Sequence, residues 1–203
     1  YTESNDSEYV NNKYMNIFII LPHQLFEKSY LDNKYTYIIW EHPHYFTAYK
    51  YNQKKIILHR ASMKYYYNYL KSNNFKCKYI KFNKNFNINH YTLFDPIDKI
   101  SLPNKYTMIE SPNFLLNKDI YAQYRDKTDK FFFNAFYMWG KKQIDLLPNI
   151  KSQDKLNRQP LSKTKNIDIP DVPSNSADDK YIRNGISYVN KHFSNNYGNV
   201  DNF

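Results

Sequence analysis

Short apolar runs cut off by prolines, with longer mixed stretches between them, set the frame of this chain. Residues 16–21 read Asn-Ile-Phe-Ile-Ile-Leu and stop at Pro22; residues 36–41 read Thr-Tyr-Ile-Ile-Trp-Glu and stop at His42-Pro43. A continuous apolar run of this length, bounded by a breaker, predicts a strand buried on both faces. Two more strands are expected at 78–82 and at 106–110, the latter stopped by Ser111-Pro112. Between the second and third runs, residues 54–71 carry no Gly or Pro. Ile56, Ile57, Met63, Tyr67 and Leu70 approximate one apolar stripe there, with lysines on the other side, which predicts the strongest helix. Strand, helix, strand in that order implies a parallel sheet with right-handed crossovers. The Asn-rich stretch 83–105, with two prolines, reads as loop.

Beyond the sheet, 117–125 reads as a short helix with Asn117 as its cap, and 133–147 as another, with Phe136, Trp139, Ile144 and Leu147 apolar. Residues 148–175 are rich in Lys, Asn, Ser and Pro, as in a linker or surface loop. Residues 178–193 end the pattern as a helix, with Ile182, Ile186, Val189 and Phe193 spaced four, three and four apart. The expected fold class is therefore α/β: an open parallel sheet flanked by helices, Rossmann-like, with a helical C-terminal extension. Its parts are an α/β domain at 15–147, a basic loop at 148–177 and the start of a helical region at 178–203.

Composition narrows the function classes. At 41% hydrophobic and 24% charged residues, 203 residues can bury a real core. No apolar run approaches the ~20 residues that span a bilayer, and the polar, acidic start has no signal-peptide core, so the expectation is an intracellular protein of cytoplasm or nucleus, neither secreted nor in a membrane. Cys77 is the single cysteine, which leaves no internal disulfide and no Cys₄ metal or iron–sulfur site, and it reads as a structural thiol. The net charge of +10 favours polyanionic partners. Codon bias gives a second source for that charge: Lys, Asn, Tyr and Ile, all abundant here, share AT-rich codons.

In an open parallel sheet, ligands sit beyond the carboxyl ends of the strands. Those ends are Pro22-His23-Gln24, Glu41-His42-Pro43-His44 and Glu110-Ser111. The candidate cofactor-binding side chains are accordingly Gln24, Trp40, Glu41 and His44. His42 and His44 beside Glu41 have metal-like spacing, but nothing nearby completes a ligand set, and solvated strand-end histidines are the reading preferred. The turn after the first strand has no glycines to cradle a pyrophosphate. No local signature of a nucleophilic triad is present. Aromatics at 131–139 followed by Lys141 and Lys142 suit either base stacking or, preferred here, packing against the sheet. The basic loop 151–165, with Lys155, Asn157 and Arg158, is the candidate DNA contact. Arg158 leads because a guanidinium grips phosphate at two points, although it also stands four residues from Asp154 and suits an internal pair.

Several segments, in order, resemble the photolyase-related proteins, an iron–sulfur, bacterial-type branch of the cryptochrome/photolyase superfamily. They are Leu21-Pro-His-Gln-Leu-Phe26, Lys54-Lys-Ile-Ile-Leu-His-Arg-Ala-Ser-Met63, Glu110-Ser-Pro-Asn-Phe-Leu-Leu116, Phe133-Asn-Ala-Phe-Tyr-Met-Trp139, Asp154-Lys-Leu-Asn-Arg158, Ile186 to Phe193 and Asn196 to Phe203. The resemblance implies an antenna domain joined to a helical domain that binds FAD and holds a 4Fe–4S cluster through four cysteines, with light-driven electron transfer to a flipped DNA lesion. It implies that this chain corresponds to the amino-terminal part alone. The chain would then have no catalytic residue, FAD or cluster of its own. A separate FAD-binding helical half and damaged DNA would be its partners, and a lumazine-type antenna would sit at the strand ends. Photolyase-type lyase activity would need the other half. The sequence departs from the family pattern at His23, where relatives have Asp, at Tyr45, where a family carboxylate falls, and in lacking Gly-Gly-x-Trp before Asp154. The competing expectations are a nucleic-acid-binding α/β module without photochemistry and a decayed remnant.

Overall fold

A computed structural model describes residues 16–129, 132–144 and 179–201. The four expected strands are present, at β1 (Ile17–Ile20), β2 (Thr36–Trp40), β3 (Cys77–Ile80) and β5 (Lys105–Ile109). A fifth, β4 (His90–Phe94), lies inside the stretch read as loop. All pairings are parallel and the order is β3-β2-β1-β4-β5. The sheet is open and flanked by helices, so the α/β expectation holds.

The loop expectation for 83–105 fails at His90–Phe94 for a physical reason. Pro96 and Pro103 lie outside the strand and cost it no ladder hydrogen bond. Tyr91, Thr92, Leu93 and Phe94 are all buried in a central strand between β1 and β5. The Asn-rich approach masked a short aromatic and β-branched run that fits a pleated surface well.

β1 and β2 are buried at every position, as their uninterrupted apolar runs require. Each fully buried Ile contributes about 1.5–3 kcal/mol relative to exposure, and Ile19, Ile20, Ile38 and Ile39 are all at or near zero exposure. β5, at the opposite edge from β3, is exposed throughout.

Helix α1 (Pro43–Phe46) is one turn long. Helix α2 (Gln53–Ser72) is the expected long helix; Asn52 caps it by accepting the Lys54 N–H at 2.9 Å, and Asn74 ends it in the left-handed region at φ 64°. Its core stripe is Ile56, Arg60, Met63, Leu70, spaced four, three and seven, so a guanidinium occupies an apolar row. Helix α5 (Lys180–His192), expected to open a helical region, packs along α2 in the same compact unit as the sheet. Gly185 allows the close approach: a Cβ there would stand 3.1 Å from Ile57 Cγ2 and 3.2 Å from the Ile57 carbonyl oxygen. The chain after α5 is tied to the start of α2. Gln53 Nε2 donates to the carbonyls of Ser194 at 3.2 Å and Asn196 at 3.0 Å, and the Gln53 N–H donates to Tyr197. Gly198, at φ 92°, lies so close to Asn52 that a Cβ would clash at 2.8 Å.

Helices α3 (Lys118–Arg125) and α4 (Phe133–Gln143) form a second compact unit. Asn117 caps α3 as expected, accepting the Ile120 N–H at 2.8 Å. Phe136 and Trp139 of α4 pack on Tyr121 and Tyr124 of α3, with ring centroids 5.0–5.7 Å apart. The basic loop with Lys155, Asn157 and Arg158 lies outside the described residues.

Candidate functional site

The reversal of strand order falls between β1 and β4, so the crevice of an open sheet belongs at their carboxyl ends. Here two side chains span that gap. Gln24, 1% exposed, donates to the carbonyls of Phe94 at 2.9 Å and Asp95 at 3.2 Å, and accepts the Leu21 N–H at 3.4 Å. His23 donates from Nε2 to the Pro96 carbonyl at 3.1 Å. On the β4 side, Ile97 is held at φ 68°, a costly conformation for a β-branched residue, with Asp95 Oδ1 accepting its N–H at 2.8 Å. Gln24 therefore stitches the switch point from within.

Trp40 and Glu41 follow each other at the end of β2, and their contacts diverge. Glu41 is fully buried, and both of its oxygens are saturated. Oε1 accepts from Arg60 Nη1 and from the Tyr79 hydroxyl at 2.7 Å; Oε2 accepts from the Tyr188 hydroxyl at 2.6 Å and the Phe82 N–H at 3.1 Å. Arg60, 4% exposed, lies 4.2 Å over the Tyr188 ring and 5.1 Å over the Tyr79 ring. Burial first, and then the Glu41 carboxylate, push the Tyr79 and Tyr188 hydroxyls well above the ordinary phenol range, so both stay donors. One carboxylate thus joins β2, β3, α2 and α5, and its acceptor sites face inward.

Trp40 faces a different neighbourhood. Its ring stacks on Phe86 at 4.0 Å and meets His42 edge-on at 4.3 Å. Its indole Nε1–H is buried without a hydrogen-bond partner although the residue is only 3% exposed. Trp40, His42, Pro43, His44, Thr47, Ala48, Ser101 and Pro103 line an open groove of about 440 Å³. His42 is committed on both sides: Nε2 donates to the Ser101 carbonyl at 3.0 Å, and Nδ1 caps α1 by accepting the His44 N–H at 3.1 Å. Burial lowers its pKa, which favours the neutral ring that this pair of contacts needs. No set of three metal-ligating side chains occurs among the described residues.

A third cluster lies around Tyr45, whose hydroxyl donates to Asp98 at 3.1 Å. The rings of His23 and His59 are 5.0 and 6.4 Å from the Tyr45 ring. His23 Nδ1 and His59 Nε2 are buried and unpaired. Burial, with Lys55 adding to it, holds the His59 pKa down at about 4.

Of the four residues expected to share a ligand, then, Trp40 and His44 meet in one groove, while Gln24 and Glu41 serve internal networks. Sequence reasoning missed Arg60, Tyr79 and Tyr188 as partners of Glu41, and Phe86 as the stacking partner of Trp40. The signal for Arg60 was its place inside the apolar stripe of α2. Comparison with known proteins sets these features in a family. The sequence matches the deoxyribodipyrimidine photo-lyase-related proteins over residues 18–101 and 87–203. The chain belongs to that family. It is also 32% identical over 186 residues to the uncharacterized protein R852 of Acanthamoeba polyphaga mimivirus, an alignment that covers 72% of this chain and 95% of that protein. The segments that carried the resemblance all fall within the matched residues.

Proposed function

We propose that these residues form the antenna and scaffold part of a photolyase-related DNA-repair flavoprotein, whose FAD and 4Fe–4S cluster belong to a helical part. The observation that carries the antenna role is the buried, unpartnered indole N–H of Trp40 beside an open groove at a strand end. A buried donor without an acceptor costs about 1–3 kcal/mol, and a planar heteroaromatic ligand with a carbonyl or ring nitrogen would recover it. A lumazine has that chemistry. Trp40, held by its stack on Phe86, would supply the aromatic wall and His44 a polar rim, while Glu41 and Gln24 hold the strand ends. Family membership supports the photochemical context. The loop residues Lys155, Asn157 and Arg158 would add a salt-sensitive contact to damaged DNA.

Titration with 6,7-dimethyl-8-ribityllumazine, followed by ligand fluorescence anisotropy, tests the groove. Saturable binding that weakens at least tenfold in Trp40→Phe, which keeps an aromatic ring and removes the N–H, supports the assignment. An unchanged anisotropy with the parent chain at high protein concentration refutes it.

A further inference from the structure

Helix α2 carries a second row of side chains besides its core stripe. Leu58, Ser62, Tyr65, Tyr69 and Ser72 follow one another at spacings of four, three, four and three. That is the repeat of a helix seam that meets another helix. None of the five is charged, in a chain where 29 of 203 residues are Lys or Arg. A helix face left to water ordinarily carries charge. The later lysines of the helix stand off the row: Lys64 lies 3.8 Å over the Tyr79 ring and Lys71 lies 4.5 Å over the Tyr67 ring.

The row points away from the core. Ile56, Met63 and Leu70 on the opposite face are fully buried, whereas Leu58 is 57% and Tyr65 59% exposed. α5 packs along α2 and leaves them so; its Tyr181 meets Tyr65 edge-on, with centroids 5.6 Å apart. The two serines have turned their hydroxyls into the helix. Ser62 donates to the Leu58 carbonyl at 2.7 Å and Ser72 to the Tyr69 carbonyl at 2.9 Å. Covering the row therefore strands neither serine donor.

We propose that this row is the contact surface for α2 of a second copy of the chain, packed antiparallel about a twofold axis at Tyr65. In that register Leu58 meets the partner's Ser72, Tyr69 meets the partner's Ser62, and the two Tyr65 rings meet on the axis. Large faces small off the axis, as close packing requires. A parallel pair would set Tyr69 on Tyr69 and leave gaps between facing serines. Charge selects the same partner and direction. Glu27 is exposed and is held beside the C-terminal half of α2: the Phe26 carbonyl accepts the Tyr66 hydroxyl at 2.7 Å, and Lys28 Nζ donates to Asn73 at 2.9 Å. Lys55, exposed with its ammonium 4.4 Å over the Tyr51 ring, is eleven residues before Tyr66, about three turns, and so lies on the same flank. Antiparallel packing brings Glu27 of each copy toward Lys55 of the other, twice per dimer, and sets opposite helix dipole ends together. Parallel packing would set Lys55 against Lys55. α2 has 20 residues and is about 30 Å long, so the contact buries on the order of 1,000 Å², the low end for a specific interface. It uses no residue of the Trp40 groove and stands whether or not a chromophore binds.

The test is sedimentation velocity of the full chain across micromolar concentrations. A reversible monomer–dimer equilibrium is expected. Tyr65→Glu puts two like charges on the axis and should weaken the dimer at least tenfold. Its Tm should stay parental, because the side chain is largely exposed. Glu27→Lys and Lys55→Glu should each weaken the dimer about threefold at low salt, and Glu27→Lys/Lys55→Glu together should restore it. A chain that stays monomeric throughout overturns the proposal. So does a dimer that survives Tyr65→Glu, or a double charge swap that fails to recover the parental equilibrium.

Discussion

Replacing Arg60 by Met tests whether the carboxylate network holds the sheet to its helices. Methionine keeps most of the unbranched volume and removes only the charge and the donors. Glu41 would keep the Tyr79 and Tyr188 hydroxyls and the Phe82 N–H, but its charge would stand uncompensated at zero exposure. Breaking one side of a buried pair costs about 3–5 kcal/mol, and the three donors that remain argue for the lower end, about 3 kcal/mol. For a chain of this size each kcal/mol moves Tm by about 2–4 °C, so a fall of roughly 6–12 °C is expected. Glu41→Gln in the Arg60→Met background removes the stranded charge, keeps an acceptor for the tyrosines, and should restore more than half of the loss. Thermal and urea unfolding of the parent, both single variants and the double variant closes the cycle. A loss below about 1 kcal/mol in Arg60→Met, or no rescue by Glu41→Gln, would show that the network is not what couples α2 and α5 to the sheet.

Acid should weaken the fold through His59. Its folded pKa of about 4 lies below the ordinary histidine value of 6.5, so the unfolded chain binds more protons in that window and stability falls as pH drops from about 6.5 to about 4. At about 1.4 kcal/mol per pH unit the full effect is about 3 kcal/mol; urea midpoints across the range should show a shallower pH dependence in His59→Leu, and parallel curves would exclude His59 as the sensor. Gly185→Val should destabilise by about 1–3 kcal/mol, because its side chain must displace Ile57 and the Ile57 carbonyl where α5 crosses α2. A neutral Gly185→Val in chemical denaturation would mean that α5 does not pack as described.

Periodicity found what depends on periodicity. The buried strands β1 and β2 and the long helix α2 announced themselves because every position on the strands, and one face of the helix, meets apolar surroundings, and a run of Ile and Phe has few other places to go. β4 escaped because its five residues sit between an Asn-rich approach and a proline, where composition outweighed the four buried positions. The Glu41 network was half legible: a carboxylate ending a doubly buried strand and an arginine within the apolar stripe of α2 each demand a partner. Neither position identifies the other, and Tyr188 lies 147 residues from Glu41 in sequence, so only the tertiary fold brings them together.

The departures from the family pattern also take on a physical meaning at the strand ends. With His23 and Gln24 bridging to β4, the crevice that an open sheet leaves at its switch point is filled by the chain's own side chains. Tyr45 adds to this closure, with its ring against His23 and its hydroxyl on Asp98. An Asp at position 23 would be too short to repeat the span to the Pro96 carbonyl and, being an acceptor, would repel that oxygen rather than donate to it. His23 and Tyr45 therefore work as a pair at one crevice, and the unpaired Trp40 donor lies by the neighbouring groove at the end of β2, where the ligand proposed above would gain a hydrogen bond.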